Sequence, residues 1–546
     1  MDPLYLNGLG LAATTALVAA GARGAGLPHS ILLVLAGAVL AFVPGVPRIS
    51  IDPDMVLLLM LPPLLYSAGV GMSWPGFRDN LRPIMLLAVG CVLFTAAAVA
   101  TAAHLLLGIP WAVGFVLGAV VSPPDAVAPM AIARRLGLPG RILVVLEGEG
   151  LVNDATALIL FSFAVAAVKT GGVSLPEAAT TFAAIVVGEI LWGVLLGWAS
   201  LRLRRLVRDP QVEIVLALLV PYFAFWPPHA LGGSGVIAAV AAGLYVSWNG
   251  LRFISVQTRL QGYFVWGLVV HLIEGLVFLL TGLQAHVVLD GLQDSSGSRL
   301  LLAGAAVSIV VVLVRFVWVF PATYLPRRIP AIGRRDPAPS WQVPFLIGFT
   351  GLRGVVSLAA ALSIPLEVAG QPFPERGLIL FTTFCVIFVT LVGQGTLLPA
   401  VIRWLGLADA GASEAAEDKV REVAARVAGV DAALARLDAL EARDAPSAVT
   451  AALRRRHLDR RTQFEGTASL RVEGNPVADN AMVQLQLNDA ERAQITALYL
   501  SGAITDEARR RIERELDLEE ARIRHAAESA TGNEGAADPE TEQAEA

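Results

Sequence analysis

Apolar runs long enough to cross a bilayer recur through the first 405 of 546 residues, and nothing else in the chain restricts its fold so severely. In lipid every backbone N–H and C=O must find a partner inside the protein, which leaves helices and closed barrels. Runs of about 17–25 residues have helical, not strand, length. Roughly thirteen can be drawn, at residues 4–22, 28–43, 53–72, 83–107, 111–133, 141–168, 177–201, 211–227, 231–247, 260–289, 300–324, 341–365 and 377–404. Only 16% of the residues are charged, against about 25% in soluble domains. The expected class is an all-α polytopic membrane protein. The first run follows Asp2 with no basic residue before it, so it reads as a retained span and not a cleaved signal. Cys91 and Cys385 lie in apolar runs, which gives no disulfide framework and no metal-ligand spacing.

Loop charge supports the count. Arg23, Arg78 and Arg82, Arg134, Arg135 and Arg141, Arg202 to Arg208, Arg252 and Arg259, and Arg327 to Arg335 fall in every second connection. The alternate connections hold Arg48, Lys169, Arg299 and Arg376. The positive-inside rule puts the first set in the cytoplasm, the amino terminus outside and the carboxyl tail inside. Trp74, Trp111, Trp248 and Trp404 sit near span ends, as interfacial aromatics do.

Against this background the acids inside the runs stand out. The sixth run holds Glu147, Glu149 and Asp154, with Asn153 beside the last. An acid at the centre of a span costs about 2.5–3.5 kcal/mol on insertion scales, so each one needs a bundle interior, a partner or a bound cation. On a helix Gly150 and Asp154 share a face, while Glu149 points about 140° away with Asn153 near it. One carboxylate therefore suits a pocket and the other a structural pair.

The fifth run is interrupted by Ser122-Pro123-Pro124-Asp125. Two prolines remove two backbone donors and break the helix, and the freed carbonyls must line a cavity or coordinate something. A broken span with an acid at its break suits a cation site; a proline kink with Asp125 capping the next half-helix is the plainer reading. A second interruption, Gly351-Leu352-Arg353-Gly354, buries an arginine that needs a carboxylate, and Glu149 is the expected partner. Glu274 and Arg315, on adjacent runs, form a second expected pair. His271 and His104 read as packing residues, and Glu189 and Glu213 receive no chemistry.

Taken together, Ser122 to Ala128, Glu149 to Asp154 and Gly351 to Leu358 resemble the signature segments of bacterial sodium/proton antiporters of the NhaP type, in the monovalent cation/proton antiporter superfamily. The resemblance covers about residues 1–405, and Ile512 to Arg522 is similar to the helical tail of bacterial members. It implies an antiporter fold with inverted repeats, two crossed unwound helices, a core part and a dimerisation part, assembled as a homodimer. It implies Na+ (or Li+ or K+) and H+ as substrates with no cofactor, and a role in pH and sodium homeostasis in the cytoplasmic membrane. Asp154 matches the acid that binds cation and proton in turn, and Asn153 the asparagine of electroneutral members. Asp125 matches the acid of the unwound fifth span, and Glu149 with Arg353 a bridging pair. Three positions depart from the pattern: Gly150 where many relatives have serine, Pro124 where many have threonine, and Tyr66-Ser67 where many have an acid. Ser67 and Ser122 are the substitutes available for the lost ligands, alongside water.

The resulting expectation is a secondary transporter in which cation and proton compete for Asp154, with Asp125 and freed carbonyls completing a hard-oxygen site. A passive cation channel remains an alternative, distinguished by current. An intramembrane aspartyl protease would also use Asp125 and Asp154, but neither acid has a Gly-x-Gly-Asp context. No nucleic-acid partner is expected. The transmembrane part is expected over 1–405, and a cytoplasmic helical tail over 406–529, with helical stretches at 412–456 and 488–525. The acidic, aromatic-free 530–546 should be disordered.

Overall fold

The computed structural model describes residues 14, 15, 18, 21, 28–44, 55–172, 174–207, 209–290, 297–368, 370–442, 447–469, 476–501 and 506–531. The expected first span, 4–22, therefore lies almost wholly outside the described residues. The chain divides into two compact units, Met1–Glu414 and Ala415–Ala546.

Helices dominate the first unit. The principal ones are α1 His29–Leu40, α2 Val56–Gly71, α3 Leu81–Leu107, α4 Trp111–Val121, α5 Val127–Arg135, α6 Gly140–Thr170, α7 Pro176–Leu206, α8 Pro210–Ala230, α9 Val236–Asn249, α10 Gln257–Leu283, α11 Gly297–Tyr324, α12 Gln342–Phe349, α13 Val355–Leu362 and α14 Arg376–Trp404. Among the described residues seven helices are long and apolar enough to cross a membrane, and four apolar helices are shorter. The boundaries follow local chemistry. α3 and α6 both end on a glycine with positive φ, Gly108 and Gly171, the usual left-handed helix stop. Pro227-Pro228, expected to end the eighth span, instead lie inside α8, which runs on to Ala230.

Two layers make up this unit. α1, α2 and α7 to α10 pack together, with α1 against α10 and α9 between α2 and α7. α3 to α6 and α11 to α14 form the other layer, and the layers meet through α6 with α9 and through α10 with α13. The second layer consists of two similar halves: α3, a helix broken into α4 and α5, then α6; and α11, a helix broken into α12 and α13, then α14. This is the repeat architecture that the resemblance implies. Small residues set the packing, as they do where lipid offers no hydrophobic drive. A Cβ on Gly282 of α10 would collide with the Val34 carbonyl oxygen of α1, so only glycine permits that crossing.

In the second unit the stretch expected as helical from 412 to 456 is divided between α15 Leu407–Glu441, which begins in the first unit, and α16 Ser447–Ser469. α17 Pro476–Leu500 and α18 Asp506–Thr531 then form a helical hairpin. Asn488 donates to the Leu516 carbonyl at 3.0 Å, and Arg492 bridges Asp517 and Glu520 at 2.7 and 2.8 Å. Most of the expected disordered end lies outside the described residues.

Candidate functional site

The two broken helices cross at their breaks. α4 stops at Val121 because Pro123 and Pro124 lack the N–H groups that would continue its ladder. At the crossing the Asp125 amide donates to the Leu352 carbonyl of the other break at 2.6 Å. Gly354 makes the contact possible, since a Cβ there would sit 2.8 Å from the Asp125 carboxyl carbon. Asn153 reaches over from α6 and donates to the Pro124 carbonyl at 2.6 Å. Its amide therefore holds the fifth-span break in shape.

Beneath the crossing lies a cavity of about 470 Å³, lined by Asp125, Pro124, Gly150, Asp154 and Ser357 from one layer and by His29, Ser67 and Glu274 from the other. Asp125 has two jobs. One carboxylate oxygen accepts from the Val127 amide at 3.2 Å, capping α5, while the other is buried with no hydrogen-bond partner. Asp125 thus caps α5 and also lines the cavity. Asp154 also lines the cavity, and its carboxylate has no hydrogen bond or ion pair among the described residues. The Ser357 hydroxyl is likewise buried and unpartnered. A Cβ on Gly150 would lie 2.5 Å from the Ala126 methyl, so the missing serine is replaced by a close approach of α5. At the rim, Arg134 holds Glu147 at 3.2 Å.

Three expectations are corrected. Glu149 pairs not with Arg353 but with Arg315 of α11, in a two-pronged bridge of 2.6 and 2.8 Å whose side chains are 3% and 2% exposed. Arg315 Nε also donates to the Ile347 carbonyl at 3.0 Å. Gly351 makes room for it, since a Cβ there would collide with Arg315 Cδ. The Arg315–Glu274 pair therefore does not form; Glu274 faces the cavity, without a hydrogen-bond or ion-pair partner among the described residues. Finally, Ser122 does not reach the cavity, because its hydroxyl donates to the Ala119 carbonyl at 3.0 Å.

Arg353 has a different role. It is buried and donates to the carbonyls of Val121 at 3.0 Å, of Ser122 at 3.5 Å and of Gly351. Its charge sits at the carboxyl end of α4, where the helix dipole and unpaired carbonyls favour a cation. Its own amide is held by the Thr390 hydroxyl at 2.9 Å, and Thr390 belongs to the π-helical Phe388–Gln394 turn of α14. Glu189 is structural as well. It accepts from the amides of Ser234, Gly235 and Ile237 at 2.6, 2.9 and 3.1 Å, capping α9 from α7.

Residues 10–404 match the family described as "Sodium/hydrogen exchanger, transmembrane". The chain belongs to this family. An uncharacterised Na+/H+ exchanger of Mycobacterium tuberculosis is 34% identical over 94% of this chain and 96% of its own length. A sodium, potassium, lithium and rubidium/H+ antiporter of Bacillus subtilis is 32% identical over 68% of this chain and 57% of its own length. In fold, this exchanger is similar to the sodium proton antiporter MjNhaP1 of Methanocaldococcus jannaschii, with a TM-score of 0.59 and 19% identity, covering 74% of this chain and 98% of that one. It is a multi-pass transmembrane sodium/hydrogen exchanger with an NhaP-type antiporter fold. Among the exchanger's described residues no three His, Cys, Asp or Glu side chains converge as a resident metal site.

Proposed function

We propose that this exchanger moves Na+ outward against H+, one charge for one, with both competing for Asp154. The observation carrying the proposal is that Asp154 has no internal partner while lining a hollow next to the crossed breaks. An ionised carboxylate cannot stay bare in a protein interior, so it is held by a proton or by a cation, and the two exclude each other. Asp125 supplies a second carboxylate oxygen; Ser357, Ser67 and water supply neutral oxygens, the donor type suited to a small alkali cation. Asn153 keeps the fifth-span break in place without adding charge, and with Asp154 as the single exchanging acid the cycle is electroneutral.

Sodium is the substrate proposed first; the printed name of the Bacillus subtilis relative adds potassium, lithium and rubidium as ions to test. Access would alternate by motion of the α3–α6/α11–α14 layer against the other, since the cavity lies between them. The basic connections support a cytoplasmic carboxyl tail over 406–529 and an outside amino terminus in a bacterial cytoplasmic membrane. Exposed apolar residues of α7, such as Leu191, Leu195 and Trp198, suit lipid or a second copy in a homodimer.

The test is cation-driven dequenching of a pH-sensitive dye in proteoliposomes. Asp154→Asn should abolish it with the fold intact, and near wild-type exchange by that variant would remove Asp154 from the centre of the mechanism. A cation current without proton coupling would favour a channel instead.

A further inference from the structure

A second pocket, of about 270 Å³, lies apart from the ion cavity at the ends of α3, α6, α11 and α12. Arg82, Arg141 and Arg327 line it. All three converge on one carboxylate, that of Asp336: Arg141 at 2.7 Å on one oxygen, Arg327 at 2.7 Å and Arg82 on the other. Both oxygens of Asp336 are thus occupied; among the described residues no other carboxylate comes within ion-pair distance of the three arginines, the Glu414 carboxylate standing nearby beside Gly140. Neighbouring groups absorb part of the donor capacity. Arg141 Nε donates to Asn80 at 3.0 Å and Arg327 Nη1 to the Thr323 carbonyl. The Nε groups of Arg82 and Arg327 are buried with no acceptor, and the Arg327 side chain is only 8% exposed.

Inward of the arginines the walls turn apolar, with Leu87, Ile142, Val145, Val319 and Ile347 all buried. Leu407 and Ala410, the first turns of the helix that leaves the last span, close one side. Guanidiniums at span ends above an apolar slot match one ligand chemistry: a phosphate joined to a short apolar stretch. Guanidinium pairs well with phosphate oxygens, and basic pockets between helix ends are where anionic headgroups lodge.

We propose that this pocket binds an anionic phospholipid, its phosphate on Arg82, Arg141 and Arg327 and its first methylenes against the apolar wall. The volume lies just below the usual range of about 300–1,000 Å³ for ligand pockets, so it takes a headgroup phosphate and the start of one chain and leaves the rest of the lipid outside. Occupancy would fix Leu407 and Ala410 against the ends of α3, α6 and α12, and so the root of α15.

The experiment uses the full chain purified in neutral detergent. Its thermal midpoint is followed during titration with short-chain phosphatidylglycerol, with phosphatidylcholine of the same chain length, and with inorganic phosphate. Phosphatidylglycerol should raise the midpoint saturably while phosphatidylcholine does not. Arg82→Gln with Arg141→Gln should weaken the apparent affinity by about thirtyfold, from roughly 1 kcal/mol per lost arginine. Arg334→Gln, in the same loop but bonded only to the Pro330 carbonyl, should leave it unchanged. Should the double variant not fold, Ala410→Trp fills the slot while keeping every arginine, and it should abolish the response. Equal stabilisation by inorganic phosphate would overturn the lipid assignment. A flat response to phosphatidylglycerol, or one that Arg334→Gln lowers as much as the pocket variants do, would overturn the site.

Discussion

The Glu149–Arg315 bridge gives the most decisive test of this architecture. Both side chains are almost wholly buried, and both guanidinium nitrogens that meet Glu149 do so at ordinary hydrogen-bond length. Removing one member, as in Glu149→Gln, leaves a buried guanidinium without its counter-charge, which costs about 3–5 kcal/mol. Arg315→Met should cost a similar amount by stranding the carboxylate. The double variant should cost less than the sum of the two, because the second change removes the charge that the first left stranded, and the cycle should return a coupling of at least about 2–3 kcal/mol. The same cycle run with Arg353→Met should couple to Glu149→Gln less than half as strongly, because Arg353 is held by carbonyls and makes no ion pair among the described residues. Reversible unfolding in mixed micelles, followed by intrinsic fluorescence, measures all four corners. A large coupling to Arg353 with a small one to Arg315 would refute the assignment.

Three further outcomes are expected. Gly354→Ala should fold but lose most exchange in the dye assay, because the new methyl lies 2.8 Å from the Asp125 carboxyl carbon and pushes that acid from the cavity. Glu274→Gln should keep exchange running with a weaker apparent cation affinity, since it removes an unpaired acid from the cavity wall while leaving the exchanging one; complete loss would make Glu274 an exchanging group. Burial alone would raise the Asp336 carboxyl, but the hydrogen bond and charge of Arg141, then the charges of Arg327 and Arg82, hold it below the usual carboxylate range. Its stabilisation is therefore present above the unfolded value of about 3.9 and is lost as pH falls through the lower folded value. The thermal midpoint of the wild type should exceed that of Asp336→Asn at pH 7, and the gap should close below about pH 4; a gap that widens on acidification would contradict the contacts.

What could be read from the residues alone follows from how local each constraint is. Pro123-Pro124 forbid helix hydrogen bonds wherever the chain goes, and Gly351 and Gly354 permit close contact at fixed positions, so both breaks were visible before any packing was known. Helical spacing also separated Asp154 from Glu149 correctly, because 100° per residue is a property of the helix itself. It failed one step later. An angle of about 140° from Asp154 says only that Glu149 faces away from the pocket, and both buried arginines lie in that direction. Arg315 wins because it comes from α11, where the Ile347 carbonyl fixes Nε and the bare Gly351 leaves space for its stem. Arg353, two residues beyond that glycine, is drawn instead to the carbonyl end of α4. Glu274 was misplaced for the same reason. The adjacent run offers Arg315 as its partner, whereas its direction is set by α10 packing on α1 within its own layer and on α13 across the layer boundary. A partner chosen through three helices leaves no periodic trace in any one of them, and so the ion pairs, unlike the breaks, required the fold.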